Sequence, residues 1–108
     1  FVNLIGCKKT ETKEMEPQLK IVVTDATATL VNGANVKLFS SLTDFQQAVN
    51  AVDSSTTVAD GSVLFSGLRE VKYYFTAESQ GKSNRFGIAA TSNPLQKGYI
   101  VVVTTIIE

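Results

Sequence analysis

Hydrophobic and polar residues alternate along much of this chain, and the alternation predicts β-strands. It is clearest at residues 18–24, 34–39 and 71–78, where every second residue is apolar. A period of two residues places the apolar side chains on one side of an extended strand. In the last of these runs, Tyr73 is expected in the core and Tyr74 on the opposite face. The pattern therefore predicts a sheet-forming domain with one buried side to each strand.

Turn residues separate the alternating runs. Asn32-Gly33 supplies the positive φ angles that a tight reversal requires, and Asp60-Gly61 does the same before a short run at 62–66. Only a few residues separate that run from the run at 71–78, so the sequence predicts that the two form a β-hairpin. Two further short strands are predicted at 54–59 and 85–90.

The segment between residues 40 and 53 departs from the alternation. Thr43 and Gln46 match a capping box, and four apolar residues recur at helical spacing: Phe45, Ala48, Val49 and Val52. We therefore predict a short helical turn in the 41–53 connection. It is either a binding loop or, the interpretation that we favour, a lid over one open end of the domain.

The last run, residues 99–107, is apolar or β-branched on both faces. A strand of this kind is expected at the centre of a sheet, or with both of its faces covered.

Composition limits the classes of function. The chain has 108 residues, enough for one domain, and its ten basic and ten acidic residues cancel. A nucleic-acid partner is not expected, because such proteins carry a basic patch. With no histidine and one cysteine, the chain has no internal disulfide, no Cys/His metal cluster and no histidine base. We therefore predict no enzyme, no catalytic residue and no cofactor.

Two groups of side chains are candidate sites. Phe39 and Tyr74 are expected on outward faces, where they would form an exposed aromatic platform for sugars or proteins, although ordinary cross-strand packing is the favoured alternative. Asp25, Asp53 and Asp60 lie near predicted strand ends and are candidate calcium ligands. Their spacing does not resemble a calcium loop, and aspartate is common in turns, so no metal site is predicted.

The amino-terminal segment is apolar up to Gly6 and strongly charged from Lys8 to Glu16. Leu4-Ile5-Gly6-Cys7 resembles the lipobox of bacterial lipoproteins, in which the cysteine is lipidated and becomes the mature amino terminus. The alternative is that Cys7 is a small buried residue of a first strand. The lipobox implies three parts: a signal peptide remnant at 1–6, lipidated Cys7 with a flexible tether at 7–17, and a β-sandwich domain at 18–108.

Three stretches of the body resemble the prealbumin-like β-sandwiches, which include carboxypeptidase regulatory-like, transthyretin-like and Cna B-type domains. These stretches are Leu30–Leu38, Thr56–Phe65, and Leu68 with Tyr73-Tyr74-Phe75. The resemblance implies an all-β, prealbumin-like (Ig-like) antiparallel β-sandwich of about seven strands. Some Cna B-type domains carry a lysine–asparagine crosslink. Lys20 matches the lysine, but residues 101–107 contain no asparagine, so no crosslink is predicted.

Together, the lipobox and the sandwich resemble the small lipoproteins of Bacteroidetes. The resemblance implies a non-catalytic, envelope-tethered domain that acts in adhesion, scaffolding or protein–protein interaction. Its partners would be the membrane, through the lipid anchor, and an envelope protein or glycan. Lys8 and Lys9 replace the aspartate that retains some lipoproteins at an inner membrane, so an outer-membrane anchor is expected, periplasmic or surface-exposed. The alternative function is a small-ligand or glycan-binding domain that uses the aromatic face.

Overall fold

A computed structural model describes residues 15–85 and 87–108 of the chain. These residues form seven strands and one short helix: β1 Gln18–Thr24, β2 Asn35–Phe39, α1 Leu42–Gln47, β3 Asp53–Thr56, β4 Ser62–Phe65, β5 Tyr74–Ser79, β6 Lys82–Ser83 and β7 Ile100–Ile106. The strands make two sheets, a three-stranded one in the order β4-β1-β7 and a four-stranded one in the order β3-β2-β5-β6. The predicted β-sandwich is confirmed.

The core lies between the two sheets and takes one face from each. Every second residue of β1 and of β2 is fully buried, as the alternation predicts: Leu19, Ile21, Val23, Val36 and Leu38. Tyr73 is also in the core, and its hydroxyl oxygen accepts a hydrogen bond from the Arg69 amide at 3.0 Å. Full burial of a large apolar side chain contributes about 1.5–3 kcal/mol. This layer is therefore the main source of stability.

The predicted hairpin between residues 62–66 and 71–78 is wrong. β4 pairs with β1, whereas β5 pairs with β2 and β6 in the other sheet. The chain passes between the sheets after Gly67, which adopts a positive φ of 66°. A short connection between two alternating runs looks the same in a hairpin and in a crossing between layers. Local sequence therefore could not distinguish them.

The placement of β7 differs from the prediction in two ways. It pairs in parallel with β1, so the three-stranded sheet is mixed rather than wholly antiparallel. It also lies at the sheet edge, and Ile100, Val102 and Ile106 on its outer face are exposed. The expected central or fully covered strand is therefore wrong, because no other strand within the described ranges lies beyond it in the sheet.

Helix α1 is confirmed, but its limits and position differ from those predicted. Its N-cap is Ser41, whose Oγ accepts a hydrogen bond from the Asp44 amide at 3.1 Å, so the capping box at Thr43 is wrong. The helix ends at Ala48, which is left-handed (φ 56°). Val49 and Val52 follow this stop and are exposed. The helix packs on the outer face of the four-stranded sheet rather than over an open end.

The prediction of a strand at 85–90 is wrong: β6 ends at Ser83, before this range, and among the described residues of the range only Ala90 makes a β-bridge, to Tyr74. β6 covers two residues, and after a loop the chain returns to β5, where the Phe75 amide donates to Ala89 O at 3.0 Å and the Thr91 amide to Tyr73 O at 2.9 Å. The segment thus follows the edge of β5 with an interruption.

Asn84, at the start of that interruption, joins the two sheets through a buried side chain. Its Oδ1 accepts a hydrogen bond from the Ala77 amide at 2.9 Å, and its Nδ2 donates to Thr105 Oγ1 at 3.1 Å. Ala77 belongs to the four-stranded sheet and Thr105 to the three-stranded sheet. A single buried amide therefore bridges the layers.

Replacing Asn84 with alanine is expected to lower the free energy of unfolding by about 1–3 kcal/mol, because the buried Ala77 amide loses its acceptor. Equilibrium urea denaturation measures the change. Asn35→Ala, at an exposed position of β2, is the matched control, and its effect should stay within about 0.5 kcal/mol. Equal losses in the two variants would contradict the bridging role.

Candidate binding surface

Phe39 and Tyr74, the predicted aromatic platform, lie directly opposite each other on β2 and β5. They do not form an exposed surface, because Phe39 is only 1% exposed and Tyr74 is half-buried. Phe45 of α1 lies against both rings, with centroids 6.1 Å from Phe39 and 5.9 Å from Tyr74. The expectation of an exposed platform is corrected: the helix covers it.

Arg85 holds the helix in this position. Its guanidinium lies 5.0 Å from the centroid of the Phe45 ring, and its Nη2 donates to the carbonyls of Phe45 at 3.1 Å and Gln46 at 3.3 Å. A cation at the last carbonyls of a helix is favourable, and its contact with the aromatic face adds to the attraction. The aromatic cluster therefore docks the helix on the sheet.

A polar depression of about 710 Å³ lies elsewhere, at one end of the sandwich. It is lined by Asn32, Gly33, Asn35 and residues 78–83, and we call this surface the end groove. A smaller depression of about 250 Å³ adjoins it and shares Asn32 and Lys82. Sequence inspection missed the end groove because its two sides come from turns distant in the chain. The sequence does predict the turn at Asn32-Gly33.

Tight turns form both sides of the end groove. Gly33 has a φ of 85°, and its amide donates to Thr57 O at 3.0 Å. On the other side, Gln80 and Gly81 both have positive φ and join β5 to β6 in a two-residue loop, as in a type I′ turn. Glu78 and Lys82 are exposed there and carry opposite charges. The groove therefore presents hydrogen-bonding groups and both signs of charge.

Asp25 lies beside the end groove and organises the loop that follows β1. Its Oδ1 accepts hydrogen bonds from Thr27 Oγ1 at 2.7 Å, the Thr27 amide at 2.9 Å and the Thr29 amide at 3.1 Å. The Thr27 hydroxyl and these amides hold the pKa of the Asp25 carboxyl below its ordinary value of 3.8. The ionised carboxylate therefore stabilises this loop.

Replacing Asp25 with asparagine is expected to weaken the dependence of stability on acid. Because the folded pKa is lowered, the carboxylate stabilises the fold above its unfolded pKa, and this stabilisation is lost as pH falls through the folded pKa. The wild type should lose stability between about pH 5 and pH 2 more steeply than the variant. Urea denaturation across that range tests this, with Asp53→Asn as the control. Parallel curves for Asp25→Asn and wild type would contradict it.

The three candidate calcium ligands, Asp25, Asp53 and Asp60, each accept hydrogen bonds from residues close by in the chain. Asp53 accepts from the Ser54 amide at 2.8 Å, and Asp60 accepts from Ser62 Oγ at 2.6 Å and the Ser62 amide at 3.1 Å. Among residues 15–85 and 87–108, no group of three His, Cys, Asp or Glu residues could hold a metal ion.

The lipobox and Cys7 lie outside the described residues. Within the part of the chain that is described, no helix has the length and apolar character needed to cross a membrane.

No family model matches the chain, and no curated protein matches its sequence. Solved structures do match its fold. The chain is similar to part of a streptococcal ancillary pilin. The TM-score is 0.67 at 18% identity, over 96% of this chain and 35% of the pilin. The TIE protein of Bacillus anthracis matches with a TM-score of 0.62 at 15% identity, over 96% of this chain and 20% of that one. The chain thus spans about a third or less of these proteins, and the likeness is one of fold.

Proposed function

We propose that this chain is a non-catalytic domain of a bacterial cell envelope that acts in adhesion or scaffolding. The observation that carries the proposal is its fold similarity, over 96% of its length, to part of a streptococcal ancillary pilin. The pilin is larger, so this chain corresponds to one portion of it. The absence of histidine from the sequence also favours binding over catalysis.

The domain is anchored by a lipid on Cys7, at an outer membrane. Support comes from the resemblance of Leu4-Ile5-Gly6-Cys7 to a lipobox and from the charged residues that follow it. Such a segment buries too little apolar surface to fold on its own, and it separates the domain from the membrane.

The end groove binds the partner, a peptide or glycan segment of another envelope component. Its position supports this role. β1 starts beside Tyr99, where the Gln18 amide donates to Tyr99 O, and ends at Thr24, which bridges to Leu30. Strands rise about 3.3 Å per residue, so the end groove lies a full strand length away from the entry of the tether. A domain tethered at Cys7 therefore presents the groove away from the membrane.

A bead adhesion assay with charge-neutral variants tests this function. The full chain is coupled to beads, which are offered immobilised envelope fragments of the native host, either intact, protease-treated to remove protein or periodate-treated to destroy glycans. Wild-type beads are expected to bind at least one of these surfaces. The double variant Glu78→Gln/Lys82→Gln removes both groove charges and should weaken binding about five- to tenfold.

The matched control is Glu70→Gln/Lys97→Gln, the same chemical change at the opposite end of the sandwich. It leaves the net charge equal to that of the groove variant and should bind as the wild type does. Absence of adhesion by the wild type would overturn an adhesive role, and equal losses in both variants would exclude the end groove as the binding surface.

A further inference from the structure

The outer face of the three-stranded sheet is apolar at its β7 edge. Ile100, Val102 and Ile106 are 55%, 59% and 44% exposed, whereas Leu64 on β4, 52% exposed on the same face, is separated from Val102 by Lys20 on β1. Scattered exposed apolar residues are ordinary, but contiguous ones on a flat sheet mark an interaction surface. The β7 edge of this face is therefore a candidate interaction surface.

The backbone of β7 is also unpaired on one side. The Gln18 amide donates to Tyr99 O at 3.2 Å, and the Ile107 amide donates to Thr24 O at 2.9 Å, so the odd-numbered residues of β7 bond to β1. Successive residues of a strand direct their N–H and C=O groups to opposite edges. The even-numbered residues from 100 to 106 thus direct both groups to the open edge. Within the described ranges no strand pairs with them.

β7 itself carries no residue that protects this edge, and only its carboxyl end is covered, where Ser83 of the same chain and Glu108 exchange two backbone hydrogen bonds of 3.2 and 2.9 Å. Natural edge strands carry charged residues, prolines or bulges that prevent pairing with other chains. Residues 98–107 contain no charged residue and no proline, and seven-residue β7 is paired without interruption to β1. The strand is long, regular and neutral, which are the properties of an edge that pairs.

We propose that β7 pairs antiparallel with β7 of a second copy of this chain, across a two-fold axis, to join two sandwiches through one continuous six-stranded sheet. The strand is self-complementary. Because the free backbone groups belong to even-numbered residues, the register that uses all of them pairs Ile100 with the partner's Ile106 and Val102 with the partner's Thr104. Each contact is between uncharged, β-branched side chains, which favour cross-strand pairing.

Charges at the two ends of the strand favour the same arrangement. Lys97 precedes β7 and Glu108 follows it, and both are exposed. Antiparallel pairing brings the end of the strand that Lys97 precedes near the end that the partner's Glu108 follows, whereas a parallel arrangement would bring like charges near each other. A depression of about 250 Å³ lined by Ile88, Thr104 and Ile106, among others, lies beside the edge and leaves room for a partner side chain.

Sedimentation equilibrium of the full chain tests the proposal. The wild type is expected to form a dimer as concentration rises. Val102→Lys places a charge at the centre of the paired strands in both copies and should raise the dissociation constant about tenfold or more. Leu64→Lys makes the same change on the same face, two strands away, and should dimerise as the wild type does. Circular dichroism checks that both variants fold, and Thr104→Lys provides a second test of the edge.

Hydrogen exchange identifies the groups that pair. The amides of Ile100, Val102, Thr104 and Ile106 should exchange more slowly at concentrations where the wild type is dimeric. A monomer at all concentrations would overturn the proposal, and so would a dimer that survives Val102→Lys but is lost in Leu64→Lys. Loss of the dimer when Phe1, Leu4 and Ile5 are changed to serine would also overturn it, because the amino-terminal segment would then be the added strand.

Discussion

Replacing Phe75 with alanine is expected to lower the free energy of unfolding by about 3–5 kcal/mol. Phe75 is 3% exposed and lies on β5, an interior strand of the four-stranded sheet, opposite Leu38. Removing the ring takes apolar surface from the core and leaves a cavity between the sheets. Domains of this size have total stabilities of about 5–15 kcal/mol, so this single substitution should remove a large share of the total.

Urea denaturation followed by far-ultraviolet circular dichroism measures this loss. Tyr99→Ala is the control, because Tyr99 is an aromatic residue with 64% of its surface exposed, and its effect should be below about 1 kcal/mol. A loss below about 1 kcal/mol for Phe75→Ala would contradict the assignment of Phe75 to the core.

Replacing Thr57 with valine is expected to cost about 2–4 kcal/mol, although the two side chains have nearly the same shape. Thr57 is 3% exposed. Its Oγ1 accepts a hydrogen bond from the Ala34 amide at 2.9 Å and donates to Val31 O at 2.6 Å. Valine leaves both groups without their partner: the buried Ala34 amide costs about 1–3 kcal/mol, and the partly buried Val31 carbonyl adds a smaller loss. The loss should also loosen the Asn32-Gly33 turn that lines the end groove.

Thr56→Val is the matched control for this prediction. The substitution is identical and one residue away, but Thr56 is exposed at the end of the edge strand β3. Its effect should be within about 0.5 kcal/mol. Equal stabilities of the two variants would show that the Thr57 hydroxyl does not hold the turn.

Much of the fold could be predicted from the alternation of apolar residues. The strands at 18–24 and 34–39 and the burial of Tyr73 follow directly, because a strand with one buried side has a period of two residues. The assignment of strands to sheets could not be predicted in this way. Whether β4 pairs with β5 or with β1 depends on contacts between distant residues, which leave no local pattern.

The burial of the Phe39–Tyr74 pair and the position of the end groove could not be predicted for the same reason, because both depend on contacts between residues distant in the chain. The pairing of Phe39 with Tyr74 was visible as a shared orientation, and the two residues are indeed opposite each other. Their burial depends on Phe45, which reaches them only because Ser41 and Ala48 set the ends of a six-residue helix. The end groove depends on two turns that approach each other only in the folded chain. Its residues are ordinary turn residues when considered one at a time.

Anchoring at the envelope is tested most directly by intact-mass analysis of the protein from its native host. Envelope and soluble fractions are compared for the wild type and for Cys7→Ala. We predict that the wild type is found in the envelope fraction with the added mass of a diacyl or triacyl group, and that Cys7→Ala lacks this mass and leaves the membrane. A wild-type protein found in the soluble fraction with a free Cys7 thiol would contradict the lipid-anchored envelope domain and leave only the β-sandwich.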